Sequence, residues 1–162
     1  EGLLTLVDDV EIKPTLITDY IFEQMKLYDI KGVAVDSFRY ALLAKALKEI
    51  GFDKESKNLY MVRPSDIMKI VPVIDSIFVN HFFIWGDNPL LRWATNNTKK
   101  VLSGKKKKRT EEEADTGNYY YAKIEGKSRK TDPFMAAVHS TVIESWLDEQ
   151  VSSYDDIPVI TI

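Results

Sequence analysis

The sequence predicts an α/β fold with a mostly parallel portion of sheet, on three observations. Two short β-branched, apolar runs, Ile30–Val35 and Leu59–Val62, have the length and composition of buried strands. Between them, Phe38–Ile50 carries apolar residues at helical spacing (Phe38, Leu42, Leu43, Ala46, Leu47, Ile50) and ends at Gly51, a C-terminal capping residue. A strand, a helix and a second strand in that order favour parallel pairing through a helical crossover.

The remaining elements follow the same logic. Residues 2–12 read as a short strand and turn. Pro14 and Thr15 open a helical pattern with Ile17, Tyr20, Ile21, Gln24 and Tyr28 on one face. Ser65 can cap a helix bearing Ile67, Ile70, Val71, Ile74, Ile77 and Phe78, with a kink or break expected at Pro72. The run His81–Trp85 has strand character. Asn88-Pro89 has cap and first-turn chemistry for a helix through Trp93. Thr98–Val101 and Tyr119–Ile124 are expected to pair around a mobile, low-complexity excursion at about residues 99–118. Pro133 opens a last helix with Met135, Val138, Val142 and Trp146 on one face.

Composition narrows the function classes. The chain has no cysteine, which excludes disulfide scaffolds, cysteine-based zinc sites and thiol nucleophiles. No apolar run reaches membrane-spanning length, and the N-terminus lacks the order of a signal peptide, so a cytoplasmic protein with no membrane partner is expected. Net charge is −3, yet residues 99–130 hold eleven of the 22 Lys and Arg residues. Such a segment can contact phosphates while the rest of the chain repels them. A Lys run alone is more simply a solvated loop, and the neighbouring run of three glutamates partly neutralises it.

Two carboxylates stand out. Asp36 follows Val33-Ala-Val35 directly and so lies at the carboxyl end of a strand, where open α/β sheets place their sites. Its hard oxygens suit a hard cation such as magnesium. Asp36 also precedes a helix, and capping would explain it equally. Asp132 stands before Pro133, the favoured cap and first-turn pair, and just after the basic residues Lys127, Arg129 and Lys130. Cations that hold phosphate beside a metal-binding carboxylate suit phosphodiester cleavage. The two histidines, His81 and His139, have no ligand spacing with each other. His139 follows Asp132 by seven residues and would share its helix face two turns on. Ser103-Gly-Lys-Lys lacks the upstream glycine of a phosphate-binding loop. Tyr119–Tyr121 could stack on bases, but tyrosines in a strand more often face core and hairpin partner.

Three segments in order carry a resemblance: Ile30–Leu43, Gly86–Asn97 and Lys127–Val138. Together they resemble the C-terminal nuclease domain of the large terminase subunit of tailed bacteriophages, over residues 1 to about 148. The resemblance implies an RNase H-like fold and an endonuclease that cuts concatemeric viral double-stranded DNA during packaging. It implies catalysis by two metal ions, magnesium or manganese, with Asp36 and Asp132 as metal ligands and catalytic residues. Lys127, Arg129 and Lys130 become nucleic-acid contacts. Asn88 is expected as a cap and Trp93 in the core. Implied partners are an upstream packaging ATPase domain, the small terminase subunit and the portal protein, in the cytoplasm of the infected bacterial host.

The sequence departs from the family at its start. No residue matches the first-strand aspartate, so residues 1–162 are expected to be a single, partial nuclease domain that lacks its first strands and one acidic ligand. The alternatives are a non-catalytic DNA- or portal-binding module and another RNase H-like nuclease of resolvase or transposase type. Nucleases of this family cut with little base preference, so phosphate contacts should dominate. Binding to duplex DNA should therefore weaken steeply with salt. Affinity unchanged at high salt would remove the basic segment as the DNA contact.

Overall fold

The computed structural model describes residues 4–103, 118–126 and 129–152, the last four as helical backbone. The element order is α1 (Pro14–Gln24), β1 (Val33–Asp36), α2 (Tyr40–Glu49), β2 (Leu59–Val62), α3 (Pro64–Val79), α4 (Pro89–Asn96), β3 (Thr98–Leu102), β4 (Tyr119–Lys123) and α5 (Asp132–Ser152). This is a mixed α/β chain with two two-stranded sheets among the described residues: β1 pairs β2 in parallel, and β3 pairs β4 antiparallel. The described helices include none long and apolar enough to cross a membrane.

The chain forms two compact units. One contains Val7–Val62 and the part of α5 from His139 onward. Its core is Val35, Leu47, Phe52 and Leu59, with Ile21, Tyr40, Leu43 and Ile50 packed around them. The Val33↔Leu59 to Asp36↔Val62 register sets the two strands flush. Asn58 helps to hold that register. Its carbonyl accepts the Val33 N–H at 2.8 Å, its amide donates to the Gly51 carbonyl at 2.8 Å, and its side-chain oxygen accepts the Asp53 N–H at 2.8 Å. Helix α5 lies so close to the start of β1 that a Cβ on Gly32 would meet Ile143 Cδ1 at 2.9 Å and the Asn58 carbonyl at 3.2 Å. Only glycine admits that approach without displacement. Further along, the Tyr60 ring meets Trp146 at 5.1 Å.

The other unit spans Arg63–Val138 with the residues up to Leu6. Ile70, Val71 and Ile74 of α3 are buried, as are Ala94, Phe134 and Val138. Phe134 packs edge-on against Tyr121 at 5.0 Å and meets Phe78 at 6.5 Å. The Tyr121 hydroxyl is buried with no hydrogen-bond partner found for it among the described residues. Burial, then the charge of Asp75, hold this phenol protonated far above its ordinary range.

Several expectations are corrected. Leu4–Ile12 forms no strand and is exposed, because no strand among the described residues supplies its backbone partners. The run after His81 alternates as a strand does, with Phe82 and Ile84 exposed and Phe83 and Trp85 half-buried, yet pairs with nothing among the described residues. It is held instead by ring contacts: Phe83 stacks on Trp85 at 4.6 Å, and Phe78 meets both. Pro72 does not break α3; it sits on the exposed face. Arg63 rather than Ser65 occupies the cap position of α3, and Asp66 Oδ2 accepts the Arg63 N–H at 2.9 Å. Trp93 is 44% exposed, not core. Thr18, not Tyr20, is the buried residue of α1. Most of the 99–118 excursion and the tail from residue 153 lie outside the described residues.

Two helix ends use the same closure with different residues. After α2, the Gly51 N–H donates to the Lys48 carbonyl at 3.1 Å and the Phe52 N–H to the Leu47 carbonyl at 3.0 Å, with Gly51 at φ +94°. After α3, His81 takes that place at φ +56°, with its N–H on the Phe78 carbonyl and the Phe82 N–H on the Ile77 carbonyl. This paired closure wants a left-handed residue, which costs any side chain with a Cβ about 1–2 kcal/mol. Gly51→Ala should lower the unfolding free energy by about that amount, while His81→Gly should raise it by a fraction of it. Urea melts of both variants test this; shifts of the same sign would show that the closure does not govern either helix end.

Candidate functional site

One polar site begins at the carboxyl end of β1. Val35 is buried and Asp36, one residue on, is exposed. The chain then makes a tight turn pinned by three backbone donors. The Ser37 N–H reaches the Val62 carbonyl at 3.1 Å, the Phe38 N–H reaches Asp36 Oδ1 at 2.5 Å, and the Arg39 N–H reaches the Asp36 carbonyl at 3.2 Å. Asp36 therefore caps this turn. It does not cap α2, whose cap position is Arg39 with no side-chain bond. One carboxylate oxygen is thus engaged with backbone, and the strand carries the group outward into solvent.

His139 stands nearer to this turn than its place in the sequence suggests. It lies half-buried on α5, within electrostatic reach of Asp36 and in the same unit. Burial pushes its imidazole below the usual range, and the Asp36 carboxylate pulls it partly back. A neutral imidazole near a strand-end carboxylate can accept a proton or lend a nitrogen donor. Spacing pointed to Asp132 as its helix neighbour. A pattern along one helix carries no information about a strand far away in sequence.

Asp132 is the first residue of α5 and is exposed. The Thr131 carbonyl accepts the first helical bond, from the Met135 N–H at 2.9 Å. The cap position is therefore Thr131, which is buried, and Asp132 and Pro133 follow inside the first turn. Asp132 there complements the positive end of the helix without serving as its cap. Asp36 and Asp132 belong to different compact units.

The basic residues ahead of Asp132 divide. Lys127 lies outside the described residues. Arg129 is committed to structure. Its guanidinium donates to Asn97 Oδ1 at 3.1 Å and to Glu125 at 3.3 Å. Asn97 is fully buried, and its amide donates to the Lys130 carbonyl at 3.1 Å. Its own carbonyl accepts the Ile124 N–H at 2.8 Å. Asn97 thus ties the end of α4, the end of β4 and the segment entering α5. Lys130 is exposed. Lys100 pairs with Asp75 at 2.6 Å and lies over the Tyr119 ring at 4.8 Å. Arg129 and Lys100 are therefore less available to phosphate than their place in the sequence suggests.

The donor set bears directly on a metal. Hard divalent cations take several oxygen ligands. Among the described residues no group of three or more His, Asp or Glu side chains converges to hold one. Asp36 by itself supplies too few oxygens for a two-metal centre. Comparison with protein-family models, curated proteins and solved structures finds no match to this chain.

The His139 shift has a stability consequence with a definite sign. The folded state disfavours the imidazolium, so the unfolded state binds the proton more readily. Stability from this group is complete above its ordinary value of 6.5 and is lost as pH falls below that toward the lower folded value. Urea midpoints of wild type and His139→Gln, compared between acidic and neutral pH, should show a smaller acid loss in the variant. Parallel losses would rule out His139 as the titrating group.

Proposed function

We propose that this chain belongs to a metal-dependent DNA endonuclease of the phage-packaging terminase type, with an RNase H-like fold. The observation that carries this reading is the placement of Asp36. It stands exposed at the carboxyl end of a parallel strand, beside a helical crossover and with His139 near it. Open α/β sheets use this position for chemistry. The three ordered segments that resemble the terminase nuclease add support. On this reading Asp36 and Asp132 hold magnesium or manganese, and further acidic ligands come from outside the described residues. The substrate is double-stranded viral DNA. The ATPase domain, small terminase subunit and portal protein are its working partners, in the infected host's cytoplasm. Lys127 and Lys130 are the remaining phosphate contacts, since Arg129 is held by Asn97 and Glu125.

A second reading is favoured by a specific observation. Asp36 already has a sufficient structural role in the Ser37–Arg39 turn, and no ligand cluster surrounds it among the described residues. A non-catalytic DNA- or portal-binding module would need nothing more.

Nicking of supercoiled plasmid with manganese separates the two. The protein, as its gene encodes it, should nick, and Asp36→Asn and Asp132→Asn should each lower the rate by about a hundredfold or more, with circular dichroism unchanged. Full activity in both variants would defeat the nuclease assignment of these residues. Tight DNA binding without nicking would favour the binding module.

A further inference from the structure

We propose that Phe38 and Arg39 form a stacking contact for a base displaced from the duplex substrate, and for its phosphate, immediately beside Asp36. Phe38 is 84% exposed, the most exposed phenylalanine among the described residues. The helical pattern put it on the core face of α2; instead it precedes that helix, in the turn, and its ring points to solvent. An exposed ring on a floppy loop would mean little. This one stands on a backbone fixed by the Ser37, Phe38 and Arg39 N–H bonds, so the direction in which its side chain leaves the turn is set before anything binds. The Arg39 guanidinium lies over the ring at 5.3 Å.

The other cation–ring pairs among the described residues are differently placed. Lys26, over Phe22, also binds Glu23 at 2.6 Å. Lys100, over Tyr119, binds Asp75. Lys54 faces Tyr40, which is itself half-buried against the core. Arg39 has no carboxylate within ion-pair distance among the described residues. An exposed aromatic face and an uncommitted guanidinium match the two recurring parts of a nucleic-acid strand, a base with a π-face and a phosphate. Stacking tolerates any base, in keeping with cleavage of little sequence preference.

The inference rests on the nucleic-acid substrate proposed above, and its test separates the two. A dye-labelled oligothymidine is titrated with the protein in EDTA and read by fluorescence anisotropy, so that cleavage plays no part. Phe38→Ala should weaken binding roughly tenfold, and Phe38→Trp should restore it. On an abasic strand of the same length Phe38→Ala should have no effect. Arg39→Gln should still weaken binding there and lower the salt slope by about 0.7. Binding of oligothymidine by Phe38→Ala within twofold of wild type overturns the proposal. So does equal weakening on the abasic strand, or a wild type that binds neither strand. Loss of nicking with these binding results intact would sink the nuclease reading and leave the base contact standing.

Discussion

The contact between Leu47 and Phe52 is the constraint on which the Asp36 site depends. Leu47 is in the last turn of α2, and Phe52 is the residue after the left-handed glycine. Their backbones are joined by the Phe52 N–H to Leu47 carbonyl bond, and their side chains are both essentially excluded from water. Burial of two such side chains is worth about 1.5–3 kcal/mol each. One local event therefore stops the helix and turns the chain back, and it also caps the floor on which Val35 and Leu59 pack. The crossover then delivers β2 alongside β1 in a register that puts Val62 opposite Asp36. The Val62 carbonyl in turn holds the Ser37 N–H. Thus the orientation of the turn bearing Asp36, Phe38 and Arg39 derives from a hydrophobic closure at the other end of α2.

Where local chemistry decides, the elements were legible in the sequence. Pro14 starts α1, and Leu59–Val62 is β2 with the bounds expected. Asn88 accepts the Leu91 N–H at 3.0 Å as a cap should. The strands flanking the charged excursion pair as expected. The misses share a physical cause. A strand needs a partner and a core face needs something to face, and neither is written in a segment's own periodicity. Residues 82–85 have the right alternation but find rings instead of a strand. Tyr20, Phe38 and Trp93 have apolar bulk at helical spacing but lie on the outer side. Pro72 falls where α3 meets solvent, where the lost hydrogen bond is cheapest.

The site was legible in part. Asp36 at a strand end follows from the run Val33-Ala-Val35, and the structure puts it there. The role of Arg129 was not legible, because its partner Asn97 is 32 residues away and reads as one of two adjacent asparagines at a helix end. A buried asparagine that receives Arg129 and donates to the Lys130 carbonyl uses its amide in both directions. Removing it would take a partner from the Lys130 carbonyl and the Arg129 guanidinium in two part-buried bonds, each worth about 1 kcal/mol. Conserving charge at Arg129 would therefore not conserve its function; a lysine has one point charge where the guanidinium divides its donors between Asn97 and Glu125.

The two readings of Asp36 differ in what they require of its carboxylate. A turn needs one oxygen to accept one N–H, and that bond is made. A metal needs the other oxygen, together with oxygens from elsewhere, since a single exposed carboxylate attracts a cation too weakly to strip its water shell. These roles are compatible: a backbone bond to one oxygen fixes the direction of the other, as supporting hydrogen bonds do for metal ligands. The turn that makes capping a complete explanation of Asp36 also preorganises it as a ligand. What separates the readings is the company the carboxylate keeps. Among the described residues His139, half-buried with its imidazole held below the usual range by burial, stands within electrostatic reach of that carboxylate.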